Sequence, residues 1–360
     1  MEKKKMGVGV IGCGMISTIY MKNMKERFSN IDLIACSALH IEHARKKAET
    51  FGIEALTVEE LLADERIEIV VVLTPVHTHF SLIKQVLLAG KHVYCEKTIT
   101  TTTAEAREIM ELAEQKGLYL GAAPDTFLGE AIQSATKAIT EGKIGEVTGF
   151  SISANRDLDW LIGIFRFLQA KGAGILYDYA VYHLTALVSM LGAVDEVAAF
   201  VMNRTEERMY LQKDRPDYGK TYLYQNESQA AAIIRMGNGA IGTLSVNGES
   251  NAKEYCDFII YGKKGMLRLG DPNRFSTEVV WLPNEREERD LEPVILNSCH
   301  EEVDNLRGIG VSDMISSILD KKRNKANKEL AYHVLDVIES MVRSGENHSF
   351  EHVLSTYQQP

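Results

Sequence analysis

Three short segments carry residue types whose spacing suits chemistry on a small alcohol. Cys95-Glu96-Lys97-Thr98 ends a run of apolar residues. A lysine held beside a hydroxyl can relay its proton when burial lowers its pKa toward neutrality. Glu96 would orient Lys97 or bind a cofactor ribose, against the plainer reading of a surface Glu–Lys pair. Asp178-Tyr179-Ala180-Val181-Tyr182-His183 follows the turn Gly172-Ala173-Gly174. Residues four apart share a helix face and residues five apart are offset by about 140°. Asp178 and Tyr182 would therefore point together while His183 points elsewhere. The plainer reading makes Asp178 an N-terminal cap and Tyr182 half-buried packing. The third segment, Gly12-Cys13-Gly14-Met15-Ile16-Ser17, is a G-x-G-x-x-G pattern with Ser17 in the last glycine's place. Gly12 suits a tight turn and Gly14 a close approach of backbone to a pyrophosphate. The N–H groups opening a helix at Met15 and Ile16 would face that anion.

These segments need a scaffold that brings strand ends together. Apolar runs at 6–11, 32–36, 67–73, 92–95 and 119–122 alternate with helix-period stretches at 16–28, 42–51, 58–63, 79–89 and 104–116. Short Val/Ile runs separated by helices are what a parallel sheet covered on both faces requires, and right-handed crossovers make it doubly wound. Past Gly145 the pattern changes. A long helix is expected over 174–191, then β-type runs at 197–201, 229–236, 240–246, 255–261, 266–269 and 279–282. Turns such as Gly237-Asn238-Gly239 join them. Two helices, near 303–319 and 327–342, follow, and the charged segment 284–292 reads as a surface loop. The fold class is thus α/β, an N-terminal Rossmann doubly wound parallel sheet followed by an α+β domain with an open, mostly antiparallel sheet. The dinucleotide-binding domain is expected over residues 1–125 and the substrate-binding and oligomerisation domain over 126–360, with the C-terminal helices free to pack back on the first.

Two further strand ends matter. Thr74-Pro75-Val76-His77-Thr78-His79 stops the third long β-run at a proline, which cannot donate to a ladder. That is the carboxyl edge, where ligands of doubly wound sheets bind. His77 and His79 make a poor metal set at i, i+2 without a carboxylate, so no metal is expected and one of them is read as a cofactor contact. Ser37 stands where an acid about 20 residues past the glycines would take a ribose 2′-hydroxyl. The expected cofactor is NAD, with NADP left open.

The net charge of −10 argues against a nucleic-acid partner, since such proteins concentrate Lys and Arg. No run approaches the roughly 18–20 apolar residues of a membrane span, and no signal core follows Lys3-Lys4-Lys5, so the cytoplasm is expected. Five scattered cysteines without a C-x-x-C pair are given no disulfide, zinc or other role.

Taken in order, the Val-Ile-Gly-Cys-Gly opening, Thr74-Pro75 with His79, Glu96-Lys97 and the glycine-rich turn before Asp178 resemble the glucose–fructose oxidoreductase / inositol dehydrogenase / MocA (Gfo/Idh/MocA) family. The resemblance covers nearly the whole chain and implies a Rossmann domain plus an α/β domain whose open sheet serves oligomerisation, here a homo-oligomer. It also implies that Lys97, in Glu96-Lys97-Thr98 where the family has Glu-Lys-Pro, is the catalytic residue. The family often has Asp-x-x-x-His on the long helix, where this chain has Asp178 and Tyr182 with His183 following, so Tyr182, His183 or Lys97 alone would accept the proton. Asp125 and Thr126, in a segment that departs from the common Arg-Phe-x-Pro pattern, would face cofactor and substrate. Arg156, Asp157, Asp159 and Trp160 precede the active-site helix, and an aromatic face with carboxylates suits a sugar ring, although a solvated loop explains them nearly as well. The implied reaction is NAD(P)-dependent oxidation of a secondary hydroxyl on a sugar, glycoside or polyol, in its finest form oxidation of a glucoside at C3, with Asp178 holding the ring. An NADPH-dependent reductase of a keto-sugar or dicarbonyl and a non-catalytic dinucleotide- or sugar-sensing regulator are the alternatives.

Overall fold

The computed structural model describes residues 4–251, 255–284, 292–297 and 305–359. Cys299 and most of the charged segment 284–292 lie outside the described residues. The chain divides into two units, Met1–Leu128 with Asn305–Tyr332, and Gly129–Asp304 with His333–Gln359.

The first unit is built on a six-stranded, wholly parallel sheet. Its strands are β1 (Met6–Ile11), β2 (Ile31–Ser37), β3 (Glu54–Ala55), β4 (Ile69–Val72), β5 (His92–Cys95) and β6 (Leu120–Ala122). They lie in the order β3-β2-β1-β4-β5-β6, so the order reverses between β1 and β4. Every residue of β1 and β4 is buried, which is why these strands read as continuous apolar runs and not as alternating ones. The connecting helices are α1 (Met15–Glu26), α2 (Ile41–Phe51), α3 (Val58–Ala63), α4 (His79–Leu88) and α5 (Thr103–Gln115). Thr57 and Glu60 close a reciprocal capping box on α3, and the Thr102 hydroxyl caps α5.

Helix α9 (Ile309–Asp320), far away in sequence, belongs to this unit. Gly308 and Gly310, at its start, both donate their N–H groups to one carboxylate oxygen of Asp125, each at 3.1 Å. Asp125 is thus a buried anchor for a helix N-terminus.

The second unit carries nine strands in the order β16-β15-β14-β13-β7-β12-β11-β8-β17. These are β7 (Val147–Asn155), β8 (Val194–Met202), β11 (Gln229–Met236), β12 (Ile241–Asn247), β13 (Tyr255–Gly262), β14 (Gly265–Leu269), β15 (Val279–Pro283), β16 (Val294–Ile295) and β17 (Glu351–His352). A small separate ribbon pairs β9 (Glu207–Met209) with β10 (Thr221–Leu223). All ladders of the large sheet are antiparallel except β12 with β7. Along β11 and β12 burial alternates: Ala230, Ala232, Ile234, Leu244 and Val246 are buried, whereas Ile233 and Ile241 are more than half exposed. Helices α6 (Glu130–Thr140), α7 (Leu158–Ile164), α8 (Val181–Leu191) and, from His333 onward, α10 (Lys328–Asn347) complete the set. The long helix expected over 174–191 differs from a plain α-helix, because residues 176–180 form a π turn before α8 begins. Strand β7 was not among the expected runs, since its Val-Thr-Gly-Phe-Ser-Ile-Ser-Ala-Asn sequence is too polar to announce a central strand. No helix among the described residues is long and apolar enough to cross a membrane.

The anchor at Asp125 has a consequence for stability. Burial pushes its carboxyl up to about 6, outweighing the opposing bonds from Gly310 and Gly308. An unfolded aspartate titrates near 3.9 (roughly), so between about pH 4 and 6 the folded state holds a proton that the unfolded chain has lost. Stability contributed by this group therefore falls as pH rises through that window. Asp125→Asn should remove the slope, and urea midpoints at pH 4.5 and 6.5 should differ between wild type and variant by up to about 2 kcal/mol in the corresponding stabilities.

Candidate active site

The loop after β1 lies at the reversal of strand order, where ligands of such sheets bind. Gly12 has φ of +111°, and a Cβ there would stand 2.7 Å from the carbonyl carbon and oxygen of Leu73. Only glycine allows the loop to pass so close to the end of β4. Its N–H donates to the Ser37 carbonyl at 2.9 Å, fastening the loop to the end of β2 as well. Ser17, in the third glycine's place, is buried and turns its hydroxyl back to the Gly14 carbonyl at 2.6 Å, tightening the turn. Met15 and Gly14 are exposed and Ile16 is partly so.

Two observations test whether this loop suits a dinucleotide. A Cβ on Gly14 would meet no heavy atom among the described residues within 4 Å, so the fold leaves space in front of that backbone. The Ser37 hydroxyl is buried with no hydrogen-bond partner among the described residues, and a buried hydroxyl left unpaired is costly. Space before Gly14 and an unpaired donor at the end of β2 fit a pyrophosphate and its neighbouring ribose. Gly12, Gly14, Met15, Ile16 and Ser37 are the residues that would hold them.

The ends of β4 and β5 are tied together by His79. Its Nδ1 lies 2.7 Å from the Thr98 carbonyl and its Nε2 2.8 Å from the Thr74 carbonyl. Burial pushes the pKa of this ring below the ordinary histidine range. The neutral ring then donates to one carbonyl at a time. With both nitrogens engaged by backbone, His79 is an internal strut. His77, on the short turn after Pro75, is exposed. Lys97 is partly exposed within a stretch, 93–100, whose other members are all buried. Glu96 beside it accepts a hydrogen bond from the Tyr20 hydroxyl at 2.8 Å and from the Lys97 N–H at 3.0 Å. The structure thus joins Gly12, Thr74, Pro75, His79, Glu96 and Lys97 along adjacent strand ends. It does not bring Asp125 or Thr126 to an open surface, since both are buried and Asp125 is spent on α9. Tyr20 is a site residue that no motif in the sequence marks. A tyrosine on the inward face of α1 was the available signal, because its hydroxyl must find a partner when buried.

In the second unit the π turn and α8 sort the candidate residues onto different faces. Asp178 pairs with Arg156 at 3.3 Å, both side chains largely buried. The Arg156 guanidinium also lies 4.1 Å over the Tyr179 ring. Tyr179 and His183, four apart, stack edge to face at 4.8 Å. The same four-residue step relates Asp178 to Tyr182, which is buried. His183 has no exposed surface, its Nδ1 sits 3.1 Å from the Tyr179 carbonyl and its Nε2 3.4 Å from the Cys256 thiol. Burial pushes the His183 pKa down and the Cys256 thiol up. Glu227, which the sequence did not single out, holds the start of this helix: its carboxylate accepts the Leu176 N–H at 3.0 Å and its carbonyl the Ile175 N–H at 3.1 Å. A Cβ at Gly174 would fall 2.1 Å from that carboxylate, which explains the glycine-rich turn. Burial raises the Glu227 carboxyl to about 7. Asp157 caps α7 through the Trp160 N–H at 2.9 Å, Asp159 pairs with the buried Arg208 at 2.8 Å, and Trp160 leaves about half its surface (48%) exposed.

Residues 6–123 match the family described as oxidoreductase family, NAD-binding Rossmann fold, and residues 132–268 match the GFO/IDH/MocA C-terminal domain. The chain belongs to the Gfo/Idh/MocA oxidoreductase family. Its N-terminal domain is accordingly an NAD-binding Rossmann domain. Among relatives, an oxidoreductase of Schizosaccharomyces pombe is 33% identical over 141 residues, which is 39% of this chain and 38% of that protein. The chain therefore spans less than half the length of that relative. Levoglucosan dehydrogenase of Pseudarthrobacter phenanthrenivorans is 25% identical over 278 residues, 72% of this chain and 70% of the relative. A solved levoglucosan dehydrogenase, in complex with NADH and L-sorbose, shares the fold with a TM-score of 0.83 at 20% identity, over 98% of this chain and 99% of that one.

Gly14 separates cofactor binding from folding. Gly14→Val places a side chain in space the fold leaves empty, at a φ of −71° that any residue adopts. The thermal midpoint should stay within about 2 °C of wild type, since surface changes cost under roughly 0.5 kcal/mol. NADH affinity, followed by fluorescence titration, should fall at least about tenfold, the equivalent of 1.4 kcal/mol.

Proposed function

We propose that this chain is an NAD(P)-dependent oxidoreductase that acts on a secondary hydroxyl of a carbohydrate: a sugar, glycoside or polyol. The observation that carries the reading is Lys97. It stands partly exposed at the end of β5 in an otherwise buried stretch, beside a Glu96 carboxylate oriented by Tyr20 and a Thr98 carbonyl held by His79. A lysine so placed has its backbone held by its neighbours while part of its surface remains reachable. The bound dinucleotide supplies a hydride acceptor or donor. Lys97 supplies the other half of an alcohol oxidation, taking the hydroxyl proton as the carbonyl forms and returning it in reduction.

In the second unit, Asp178 is assigned to ring hydroxyls of the substrate, with Arg156 holding its carboxylate in place. Between Tyr182 and His183, Tyr182 is the better candidate for a proton-transfer role. His183 is fully buried, and both ring nitrogens face fixed neighbours. Trp160, exposed next to the capped start of α7, is the remaining candidate for packing on a sugar face. Oxidation of a glucoside at C3 is the finer form of the proposal. Support for a carbohydrate comes from levoglucosan dehydrogenase among the relatives. The cofactor is proposed to be NAD, because no arginine directly follows Ser37 to meet a 2′-phosphate. A cytoplasmic location is proposed with it.

Assembly into a homo-oligomer is part of the same proposal. The outer face of the second-unit sheet presents Phe200, Ile233, Ile241, Tyr255 and Tyr261, all substantially exposed within one chain. Exposed apolar side chains spread over one sheet face mark an interaction surface.

Two measurements test these assignments. Across a panel of glycosides, anhydrosugars and polyols with NAD or NADP, Lys97→Met should lower kcat by about 10²–10⁴-fold, the range of a general base, with NADH binding retained. Tyr182→Phe should lower kcat less severely and shift the pH–rate profile. Wild-type turnover retained in Lys97→Met would remove the catalytic assignment. Light scattering should report more than one subunit for the wild type, and a smaller assembly for Ile233→Glu, which places a charge on that sheet face.

A further inference from the structure

Three side chains with metal-binding atoms meet in the second unit without a part in the proposed hydride transfer. They are His183 on α8, Cys256 on β13 and Asp271 in the turn after β14, and their ligand atoms all lie within 4.8 Å of one another. His183 is the most constrained. Its Nδ1 faces the Tyr179 carbonyl at 3.1 Å, and a carbonyl can only accept, so Nδ1 carries the hydrogen and Nε2 presents its lone pair. The Cys256 sulfur lies 3.4 Å from that nitrogen. A histidine whose far nitrogen donates to a backbone carbonyl is oriented as a metal ligand is, with tautomer and ring plane both set. Asp271 is held similarly, accepting the Tyr179 hydroxyl at 3.1 Å and the Asn273 N–H at 2.9 Å.

Distance and charge both suit a divalent ion of the zinc class. Sulfur at 2.3 Å and nitrogen at 2.0–2.1 Å from a tetrahedral zinc stand about 3.6 Å apart, close to the separation seen here. The carboxylate then needs only a side-chain rotation of about 1 Å at its oxygen to close the third edge. A thiolate, a carboxylate and a neutral imidazole together carry two negative charges, which a divalent cation neutralises. The Arg156 charge nearby is already matched by Asp178. A set with one oxygen among three donors does not serve magnesium or calcium, which take oxygen ligands.

We propose that His183, Cys256 and Asp271 form a binding site for one thiolate-accepting divalent cation such as Zn²⁺, with the fourth position filled by water or the Tyr179 hydroxyl. Binding expels the Cys256 thiol proton to solvent, and no electrons move. The site lies against the helix that carries Asp178 and Tyr182, so an ion there would fix the start of α8. It is independent of the proton-transfer roles given to Lys97 and Tyr182, and neither assignment stands or falls with the other.

The test uses the full chain, freed of metal by dialysis against a chelator and titrated with Co²⁺. One equivalent should bind with a near-ultraviolet thiolate-to-cobalt charge-transfer band and intense visible bands of a tetrahedral ion, and Zn²⁺ should bleach both. Cys256→Ser should lose the charge-transfer band altogether. Asp271→Asn should keep the band and bind roughly 10–100-fold more weakly, a loss of the size that altered metal-site support produces, which keeps the test informative if the cysteine variant fails to fold. A wild-type titration without the band, a band that persists in Cys256→Ser, or equal affinity in Asp271→Asn would each overturn the proposal.

Discussion

The backbone of the loop after β1 passes against the carboxyl end of β4 at a distance no side chain permits. Gly12 makes that approach possible, and its N–H is simultaneously committed to the end of β2. From this contact follows the rest of the first unit's chemistry. The strand order reverses there, helix α1 starts there without a side-chain cap, and the ends of β4 and β5 come alongside. A larger residue at Gly12 would move the loop away and dissolve the arrangement, whatever the side chains around it.

Once strand ends are fixed by backbone, polar side chains have little freedom left to err. His79 spans two carbonyls, Glu96 is aimed by Tyr20, and Asp125 secures a helix from 180 residues or so along the chain. Each is buried, and each buried polar group must find a partner or cost free energy comparable to a lost hydrogen bond. Lys97 differs from these neighbours in keeping part of its surface in contact with solvent. A rigid polar surround with a reachable amine is what preorganised proton transfer needs.

The second unit solves a different problem, that of starting a helix among buried charges. Glu227 takes the first N–H groups, Gly174 makes room for its carboxylate, and the π turn at 176–180 shifts which residues face inward. Tyr179 and His183 are turned toward Cys256 and Asp271, while Asp178 turns toward Arg156. π turns inside helices are frequent at functional sites, because the extra residue re-aims side chains that regular spacing would place elsewhere.

What the amino-acid order determined alone is the alternation of buried strands and amphipathic helices in the first unit. Strands β1 and β5 and helix α3 could be read to the residue, because buried strands show as short apolar runs and the helical period stands out between them. The glycine pattern and the strand-end positions of Lys97, Thr74 and Pro75 were legible for the same reason, being local. Tertiary structure decided what depended on distant partners. Strand β7 is central only because β12 and β13 flank it, Asp125 is a helix anchor only because α9 returns to it, and Cys256 meets His183 across 73 positions of chain. Local pattern carries the period of an element, but a polar residue's task is set by which group it is packed against, and that information exists only once the chain has closed on itself.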